Sequence, residues 1–334
     1  MRVIQRCTIL VTVAMAGLAT VAAPAAAASA PGPLRAPTSC IRVSATIHVG
    51  RSPVGVAANR KTNTVYVANG GSKTVAVISG RTNTVTATIS VGRSPGGVAV
   101  NRKTNTVYVT NGIDHTVSVI SGRTNTVTAT IPVAAPPGPG LAANPKTNTI
   151  YVGHPDLVSV ISGRTNTVTA TIPITGAPGQ VAVNPKTNTV YVTGQSVFTV
   201  SVISGRTNTV TATIPAGLLP FGVAVNPKTN TIYVSNALDN TVSVISGRTN
   251  TVTATIPVGR FSGEVAVNPK TNTVYVTNRD DNTVSVISGR TNTVTATIPV
   301  GSFPGGVAVN RKTNTAYVTN QASNTVSVLT SCRR

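Results

Sequence analysis

The sequence predicts an all-β fold, a seven-bladed β-propeller with four antiparallel strands in each blade. The first observation is a recurring phrase of the type Tyr-Val-Thr-Asn, which occurs seven times at spacings of 40 to 43 residues and contains every tyrosine of the chain. The second is that short segments with strand-like alternation fill each repeat. The third is that an incomplete repeat beside a cysteine stands near each end. Repeats of about 40 residues built only from strands are typical of propeller blades.

One repeat, which runs from Gly97 to Ile131, shows the four strands. Its segments "GVAVN", "TVYVT", "TVSVI" and "TVTATI" alternate Val or Ile with Ala, Ser, Thr or Tyr, and we name them strands A to D in chain order. A period of two places the two kinds of side chain on opposite faces of the sheet. A single four-stranded sheet would leave one face in water, whereas a ring of seven stacked sheets covers both faces of every blade.

Two turn sequences join the strands. "NRKTNT" or "NPKTNT" connects A to B seven times and "SGRTNT" connects C to D six times, so that [K/R]-T-N-T occurs thirteen times. Asn tolerates the left-handed backbone conformation, and Asn, Ser and Thr side chains bond to nearby backbone groups. Proline presets φ at the first corner of four A–B turns, at Pro145, Pro185, Pro227 and Pro269. We interpret both sequences as structural turns rather than catalytic motifs.

The incomplete repeats at the two ends complement each other. Alignment with complete repeats puts Cys40 at the position of Thr82 and Cys332 at the position of Arg81, which are consecutive positions of one C–D turn. We therefore expect the N-terminal segment to supply strand D of the last blade, in a 3+1 arrangement. The third cysteine, Cys7, lies in the predicted signal peptide at residues 1–28, which leaves two cysteines in the exported chain. Two cysteines in an exported chain suggest one disulfide, so we expect a Cys40–Cys332 bond to replace the missing turn.

Residues 1–28 are predicted to be a signal peptide, followed by a linker at 29–39 and the propeller at 40–332. Arg2 and Arg6 form a basic start, "ILVTVAMAGLATVAA" is apolar but short for a membrane span, and "APAAAASA" offers small residues for cleavage. The alternative is an uncleaved N-terminal anchor. No other apolar run in the sequence is long enough to span a membrane. We therefore expect a secreted or cell-surface protein.

The recurring phrases also resemble those of a known family. The "YVTN" phrase, the period of about 40 residues and the "GVAVNP" lead-in are similar to the YVTN-repeat family of secreted and surface-layer β-propellers, over nearly all of residues 40–332. His154 and Gly194 stand where the other repeats have Asn. The resemblance implies a seven-bladed propeller outside the cytoplasm and no single activity. Related propellers include haem and quinone dehydrogenase subunits and a lyase, but the chain has no C-x-x-C-H haem-attachment sequence.

Basic residues concentrate on the face of the ring that carries the A–B and C–D turns, which we call the lower face. The formal net charge is +21, from 27 Lys and Arg against 6 Asp and Glu. Thirteen cations, one in each [K/R]-T-N-T turn, form a candidate polyanion ring: Lys61, Arg81, Lys103, Arg123, Lys146, Arg164, Lys186, Arg206, Lys228, Arg248, Lys270, Arg290 and Lys312. Arg60, Arg102 and Arg311 add three more, and these turns contain no acid.

Two interpretations of this ring are open. A basic turn residue copied with its repeat keeps the surface soluble, or the ring binds a polyanion such as a teichoic-type polymer, an anionic glycan, lipid head groups or nucleic acid. The sequence has no recognition-helix pattern, and the lower face has no interleaved aromatic residues for base stacking. Any binding of nucleic acid is therefore expected to be non-specific, electrostatic and sensitive to salt.

The upper face, which carries the B–C and D–A loops, holds the acids and the variation between repeats. Five aspartates lie in B–C loops, and Glu264 lies where a D–A loop enters strand A; the aspartates are Asp114, Asp156, Asp239, Asp280 and Asp281. Three consecutive D–A loops carry apolar residues that form a candidate partner patch: Leu218, Leu219, Phe221, Phe261 and Phe303. The alternative is that these side chains cover the inner strands.

The sequence shows no catalytic constellation. His48, His115 and His154 all fall on the upper face, without the spacing of a metal motif, and we expect surface histidines rather than a metal site. The "SG" serines lie in turns on the opposite face from every histidine, which argues against a catalytic triad. We expect no metal and no cofactor.

The predicted function is that of a non-enzymatic binding scaffold, secreted or held at the cell envelope. It would recognise a protein or glycan through the upper loops and polyanions through the lower ring. One rival is an extracellular enzyme of the propeller lyase or dehydrogenase type, which would need acids and histidines to converge at the channel mouth. Another is a self-associating surface-coat protein. The ligand, the oligomeric state and attachment to the cell are left open by the sequence.

Overall fold

The computed structural model describes residues 40–332, so the predicted signal peptide at 1–28 and linker at 29–39 lie outside the described residues. The described chain forms 28 strands in seven four-stranded antiparallel sheets. The seven-bladed all-β propeller predicted from the repeats is confirmed. Between residues 40 and 332 no helix is both long and apolar enough to cross a membrane.

Six blades use four consecutive strands, A to D from the channel outward. Blade 1 is β2 Pro53–Asn59, β3 Thr64–Asn69, β4 Thr74–Ser79 and β5 Thr84–Ser90; blade 2 is β6 Pro95–Asn101, β7 Thr106–Asn111, β8 Thr116–Ser121 and β9 Thr126–Pro132; blade 3 is β10 Leu141–Asn144, β11 Thr149–Gly153, β12 Leu157–Ser162 and β13 Thr167–Pro173. Blade 4 is β14 Pro178–Asn184, β15 Thr189–Gly194, β16 Thr199–Ser204 and β17 Thr209–Pro215; blade 5 is β18 Pro220–Asn226, β19 Thr231–Asn236, β20 Thr241–Ser246 and β21 Thr251–Pro257; blade 6 is β22 Ser262–Asn268, β23 Thr273–Asn278, β24 Thr283–Ser288 and β25 Thr293–Pro299.

Blade 7 combines the two ends of the chain. It consists of β26 Pro304–Asn310, β27 Thr315–Asn320, β28 Thr325–Ser331 and the N-terminal β1 Ile41–His48. Strand β1 pairs antiparallel with β28, and a disulfide joins Cys40 to Cys332 with 5.3 Å between their Cα atoms. The Cys332 N–H donates to the Cys40 carbonyl at 2.8 Å. The predicted 3+1 closure and its disulfide are therefore confirmed.

The hydrophobic core lies between blades rather than within them. Seven clusters of buried residues each combine side chains of two neighbouring blades. At the junction of blades 1 and 2, for example, Tyr66 and Val77 pack with Val107 and Ile120. The seven tyrosines are at most 3% exposed. Since no blade buries its own faces, every blade depends on its neighbours for most of its hydrophobic stabilisation.

The turn asparagines adopt the left-handed conformation predicted for them. The Asn of all thirteen [K/R]-T-N-T turns has φ between 54° and 59°. In the A–B turns this Asn also bridges blades, a role that sequence reasoning missed. Its Oδ1 accepts a hydrogen bond of 2.5–2.7 Å from Nδ2 of the Asn that ends strand A of the preceding blade. The donor–acceptor pairs are Asn59–Asn105, Asn101–Asn148, Asn144–Asn188, Asn184–Asn230, Asn226–Asn272, Asn268–Asn314 and Asn310–Asn63.

The innermost strands approach one another most closely near the upper face. The residue just before the Val-Ala or Leu-Ala pair of strand A is glycine in five blades, at Gly55, Gly97, Gly140, Gly222 and Gly306. A Cβ atom at any of these glycines would lie within 2.6 Å of a carbonyl oxygen of the next blade. Close backbone packing therefore favours glycine at these five positions. Blades 4 and 6 break this rule, with Gln180 and Glu264 at the same position.

Candidate functional site

The lower face opens into a basic cavity at the mouth of the central channel. The cavity has a volume of about 990 Å³ and is formed by the A–B turns of blades 7, 1, 2, 3 and 4. Its lining consists of basic residues and prolines: Arg60, Lys61, Arg102, Lys103, Pro145, Lys146, Pro185, Lys186, Arg311 and Lys312. None of these described residues is acidic, so the cavity concentrates positive potential.

Three arginines give this cavity its asymmetry. Arg311, Arg60 and Arg102 follow strand A in the consecutive blades 7, 1 and 2, whereas the other four blades have proline at that position. Burial, together with the charges of Arg60 and Arg102, lowers the pKa of Arg311 to about 10. Burial and the charge of Arg60 also lower the pKa of Arg102. The repulsion between these like charges lowers the stability of the folded protein, and a bound anion would reduce that repulsion.

All thirteen residues of the predicted polyanion ring lie in the turns where the sequence placed them, and all are exposed. The lysines follow strand A and surround the channel mouth, whereas the arginines follow strand C and lie nearer the outer edge of the ring. Together with the three cavity arginines they form two concentric zones of positive charge. The structure therefore presents a basic lower face.

At the upper face, a single arginine reaches over the channel. Arg279 follows strand β23, and its guanidinium lies over the ring of Phe221 from blade 5 at 5.0 Å and over the ring of Phe303 from blade 7 at 5.2 Å. Each stacked ring stabilises a cation by about 0.5–2 kcal/mol, the larger value applying where water is excluded. The Nε atom of Arg279 is buried without a hydrogen-bond partner among the described residues.

Glu264 lines the channel together with this arginine. It shares a cavity of about 110 Å³ with Arg279, Phe221 and Gln180, and valines and glycines of the inner strands form much of the remaining lining. Burial raises the pKa of Glu264 to about 8, although the charge of Arg279 acts in the opposite direction. Glu264 was predicted to lie on the upper face, but the fold turns it into the channel because strand A is the innermost strand.

Three of the five upper-face aspartates hold loops together with hydrogen bonds. In blade 2 the two carboxylate oxygens of Asp114 accept hydrogen bonds from the Arg93 N–H and Nε. The N–H of Leu218 donates to Asp239 at 2.7 Å in the corresponding bond of blade 5. Hydrogen bonds from Arg93 lower the pKa of Asp114. In blades 2, 5 and 6 a carboxylate thus anchors the D–A loop that enters the blade to the B–C loop of the same blade.

The structure brings two of the five predicted patch residues together. Phe221 turns into the channel and Phe303 flanks the same arginine, while Leu218 stays 45% exposed in the loop. Leu219, Phe261 and Phe303 share a left-handed conformation, with φ of 51–55°. Such angles are strained for bulky residues. Four further apolar residues of B–C loops are exposed and were not predicted: Ile113, Val197, Phe198 and Leu238.

The histidines do not form a metal site in the described residues, where no group of three or more metal-ligating side chains converges. His48 and His115 are exposed. The prediction that His154 is a surface residue is wrong, since it is only 1% exposed. Its ring nitrogens bond to the Ser159 hydroxyl and the Ala135 carbonyl, both at 2.9 Å. His154 thereby replaces the buried Asn of other blades, which bonds to the corresponding serine.

Comparison with known proteins agrees with the propeller fold. A family model described as a lactonase, seven-bladed β-propeller, matches residues 196–332, which is less than half of the chain. The chain is a seven-bladed β-propeller. Among solved structures, hydrazine synthase from Kuenenia stuttgartiensis is similar with a TM-score of 0.75 and 20% identity, over 83% of this chain and 95% of that one. At this identity the likeness shows the fold alone. No curated protein matches the chain.

Proposed function

We propose that this protein is a non-enzymatic binding scaffold outside the cytoplasm that holds anionic polymers on its lower face. The observation that supports this most is the cavity of about 990 Å³, lined by basic residues and prolines at the centre of a basic face. The Cys40–Cys332 disulfide agrees with an oxidising location, because such bonds are rare in the cytosol. The resemblance to secreted and surface-layer propellers points the same way.

The arrangement suits a polymer better than a small anion. The three half-buried or cavity-facing arginines provide a central anchor, and the exposed lysines and arginines around them extend the charge in every direction across the face. Each neutralised phosphate, sulfate or carboxylate releases condensed counterions, so the affinity should depend steeply on salt. A cell-wall polymer or acidic glycan is the proposed class of ligand, and nucleic acid would bind without sequence preference.

The test compares two sets of variants that remove the same number of charges. The triple variant Arg60→Pro, Arg102→Pro and Arg311→Pro empties the cavity of arginine, with a residue that the chain itself uses at this position in four blades. The control triple variant Arg81→Gln, Arg123→Gln and Arg290→Gln removes three charges from the outer zone. Binding of polyphosphate to each protein is measured by titration calorimetry at several salt concentrations.

The cavity variant should bind polyphosphate at least tenfold more weakly, and the slope of log affinity against log salt should fall by about 2–3. The control variant should lose much less affinity. Equal losses in both variants would assign binding to net charge alone. Wild-type protein that fails to bind polyphosphate, or binds it with no dependence on salt, would refute the proposal.

The upper loops form the second part of the proposed scaffold, with a protein or glycan as ligand. Their support is the set of exposed apolar residues at the loop tips, such as Ile113, Leu218 and Leu238. Replacement of these three by Ser should abolish capture of an envelope component without lowering polyphosphate affinity. Capture that survives the triple replacement would place that partner elsewhere.

The family-model match favours one rival, a lactone-hydrolysing enzyme. To test this rival, the purified protein is mixed with simple lactones, and the acid released by hydrolysis is measured by titration at constant pH. Activity that disappears in the Glu264→Gln variant would establish this rival, whereas an unchanged background rate would favour the scaffold.

A further inference from the structure

We propose that the upper end of the channel binds a small monocarboxylate, with its carboxylate between Glu264 and Arg279 and its short alkyl tail against the valines of the inner strands. This site is separate from the lower face and does not depend on the polymer-binding function proposed above. Three features of the described residues support it: two exceptions to a repeated packing rule, an unsatisfied cation and the shape of the cavity.

The first feature is the identity of the residue at the closest approach of the inner strands. Five blades have glycine there because a Cβ atom would collide with a carbonyl oxygen of the next blade. Glu264 occupies that position in blade 6 and Gln180 occupies it in blade 4, and both side chains line the same small cavity. Polar groups that break a local packing rule are expected at functional sites, because elsewhere they only cost stability.

The second feature is the state of Arg279. Its guanidinium carbon lies over the rings of Phe221 and Phe303, at 5.0 and 5.2 Å from their centroids. Its Nε is buried with no hydrogen-bond partner in the described part of the chain, and the ion pairs there involve other arginines, Arg93 and Arg260. A partly desolvated guanidinium that makes no ion pair in the described part of the chain keeps its charge available to an oxyanion in the adjoining cavity.

The third feature is the cavity itself. Its volume of about 110 Å³ is well below the ~300–1,000 Å³ of pockets that hold drug-sized ligands. Val54, Val98, Val181 and Val307 line it together with inner-strand glycines. The space therefore suits an acetate- or propionate-sized molecule, with a polar head and an apolar tail, and excludes a sugar ring or a nucleotide.

Glu264 would contribute a proton donor rather than a negative charge. Burial raises the pKa of its carboxyl to about 8, so near neutral pH the group is protonated. The ionisable group whose charge acts on Glu264 is Arg279, and Arg279 in turn is affected by Asp280. A neutral carboxyl and a guanidinium both donate hydrogen bonds, and together they are complementary to one carboxylate.

The experiment measures binding of propionate to the full chain by titration calorimetry, in a buffer without other carboxylates. Arg279→Gln and Glu264→Gly are the informative variants, because the chain has Gln at the first position in blades 4 and 7 and Gly at the second in five blades. Arg260→Gln serves as the control, since Arg260 is an exposed arginine of the same blade outside the cavity. Glu264→Gln keeps a neutral donor that cannot ionise.

Wild-type protein and Arg260→Gln should bind propionate equally, and Arg279→Gln and Glu264→Gly should each lose at least tenfold in affinity. Above pH 8 the wild-type affinity should fall by about tenfold per pH unit as Glu264 ionises, while that of Glu264→Gln should stay constant. The proposal is overturned if wild type shows no saturable binding, if Arg279→Gln binds as well as wild type, or if Glu264→Gln keeps the wild-type pH dependence. Polyphosphate affinity, measured in parallel, should be the same in all these variants.

Discussion

Asn310 of the last blade donates a hydrogen bond of 2.6 Å from its Nδ2 to the Oδ1 of Asn63 in the first blade. The two residues are 247 positions apart in the chain, yet they repeat the contact that joins each of the six other pairs of neighbouring blades. The ring is therefore closed by side chains of the inner turns as well as by strand β1 and the disulfide. An Asn that was expected to shape a turn also fastens two blades.

Replacing Asn63 with Gly tests this second role. Glycine keeps the left-handed backbone, with φ near 59°, but removes the acceptor for Asn310. We expect unfolding free energy to fall by about 1–3 kcal/mol, because the Asn310 amide loses a bond in a partly buried site. Asn83→Gly is the control, since Asn83 has φ of 56° in a C–D turn. If chemical denaturation gives the same loss of unfolding free energy for both variants, the loss comes from the turn and the contact between blades adds no stability.

Removing the disulfide should release the N-terminal strand. The bond closes a loop between residues 40 and 332, and chain entropy alone assigns it up to about 5 kcal/mol. In Cys40→Ser we expect a lower melting temperature and protease cleavage near β1, while the other six blades stay protected. The single variants Cys40→Ser and Cys332→Ser should have the same melting temperature and protease sensitivity as the double variant. Unchanged resistance to protease would mean that the pairing of β1 with β28 suffices.

Relieving the arginine cluster should stabilise the unliganded protein. Arg311→Pro removes a guanidinium whose pKa is held at about 10 by burial and by Arg60 and Arg102, and it restores the residue found in four other blades. Proline also restricts the unfolded chain, an effect of about 0.4–1 kcal/mol at compatible sites. The melting temperature should rise, and polyphosphate should raise it less than in wild type. A drop in melting temperature would show that Arg311 makes a stabilising contact.

The buried carboxyl predicts a specific dependence of stability on pH. Folding raises the pKa of Glu264 from 4.5 to about 8, so the folded state holds a proton that the unfolded state releases in this range. Stability should therefore decline as pH rises from about 5 to about 8. Glu264→Gln should remove that decline, and the difference in melting temperature between variant and wild type should grow with pH. A constant difference would place an ionised Glu264 in the folded protein at all these pH values.

A missing hydroxyl in blade 1 offers a stabilising substitution. In blade 7 the Thr319 hydroxyl accepts from the Gly306 N–H and donates to the Val54 carbonyl, each at 2.8 Å, which ties two blades together. Blade 1 has Ala68 at this position. Ala68→Thr should supply the same bridge and stabilise the protein by about 1 kcal/mol relative to Ala68→Val, which has the same shape without the hydroxyl. Equal denaturation midpoints for Ala68→Thr and Ala68→Val would contradict the proposed bridge between the blades.

How much of the structure could be predicted from the sequence depends on how far apart in the chain the interacting residues lie. Strand positions, left-handed asparagines and the pairing of Cys40 with Cys332 follow from alternation, turn chemistry and alignment of repeats, because each blade repeats the same local pattern. The candidate sites were harder to predict from the sequence. Comparison of the seven repeats singles out Glu264 and Gln180 as exceptions to glycine, and that signal could have been used. Their shared cavity with Arg279 could not be predicted, because loop side-chain directions are not encoded by a repeat.

The sequence by itself determined the blade, the number of blades, the closure and the face on which the basic residues lie, since all of these follow from alternation within the strands and from alignment of the repeats. Only the tertiary structure decided which charges meet. Arg311 lies about 250 residues beyond Arg60, and ring closure makes them neighbours in one cavity. The stacking of consecutive blades likewise brings phenylalanines of blades 5 and 7 within 5.2 Å of the guanidinium of an arginine of blade 6. Burial and electrostatic energies depend on distance in space, and that distance is set by the packing of all seven blades together.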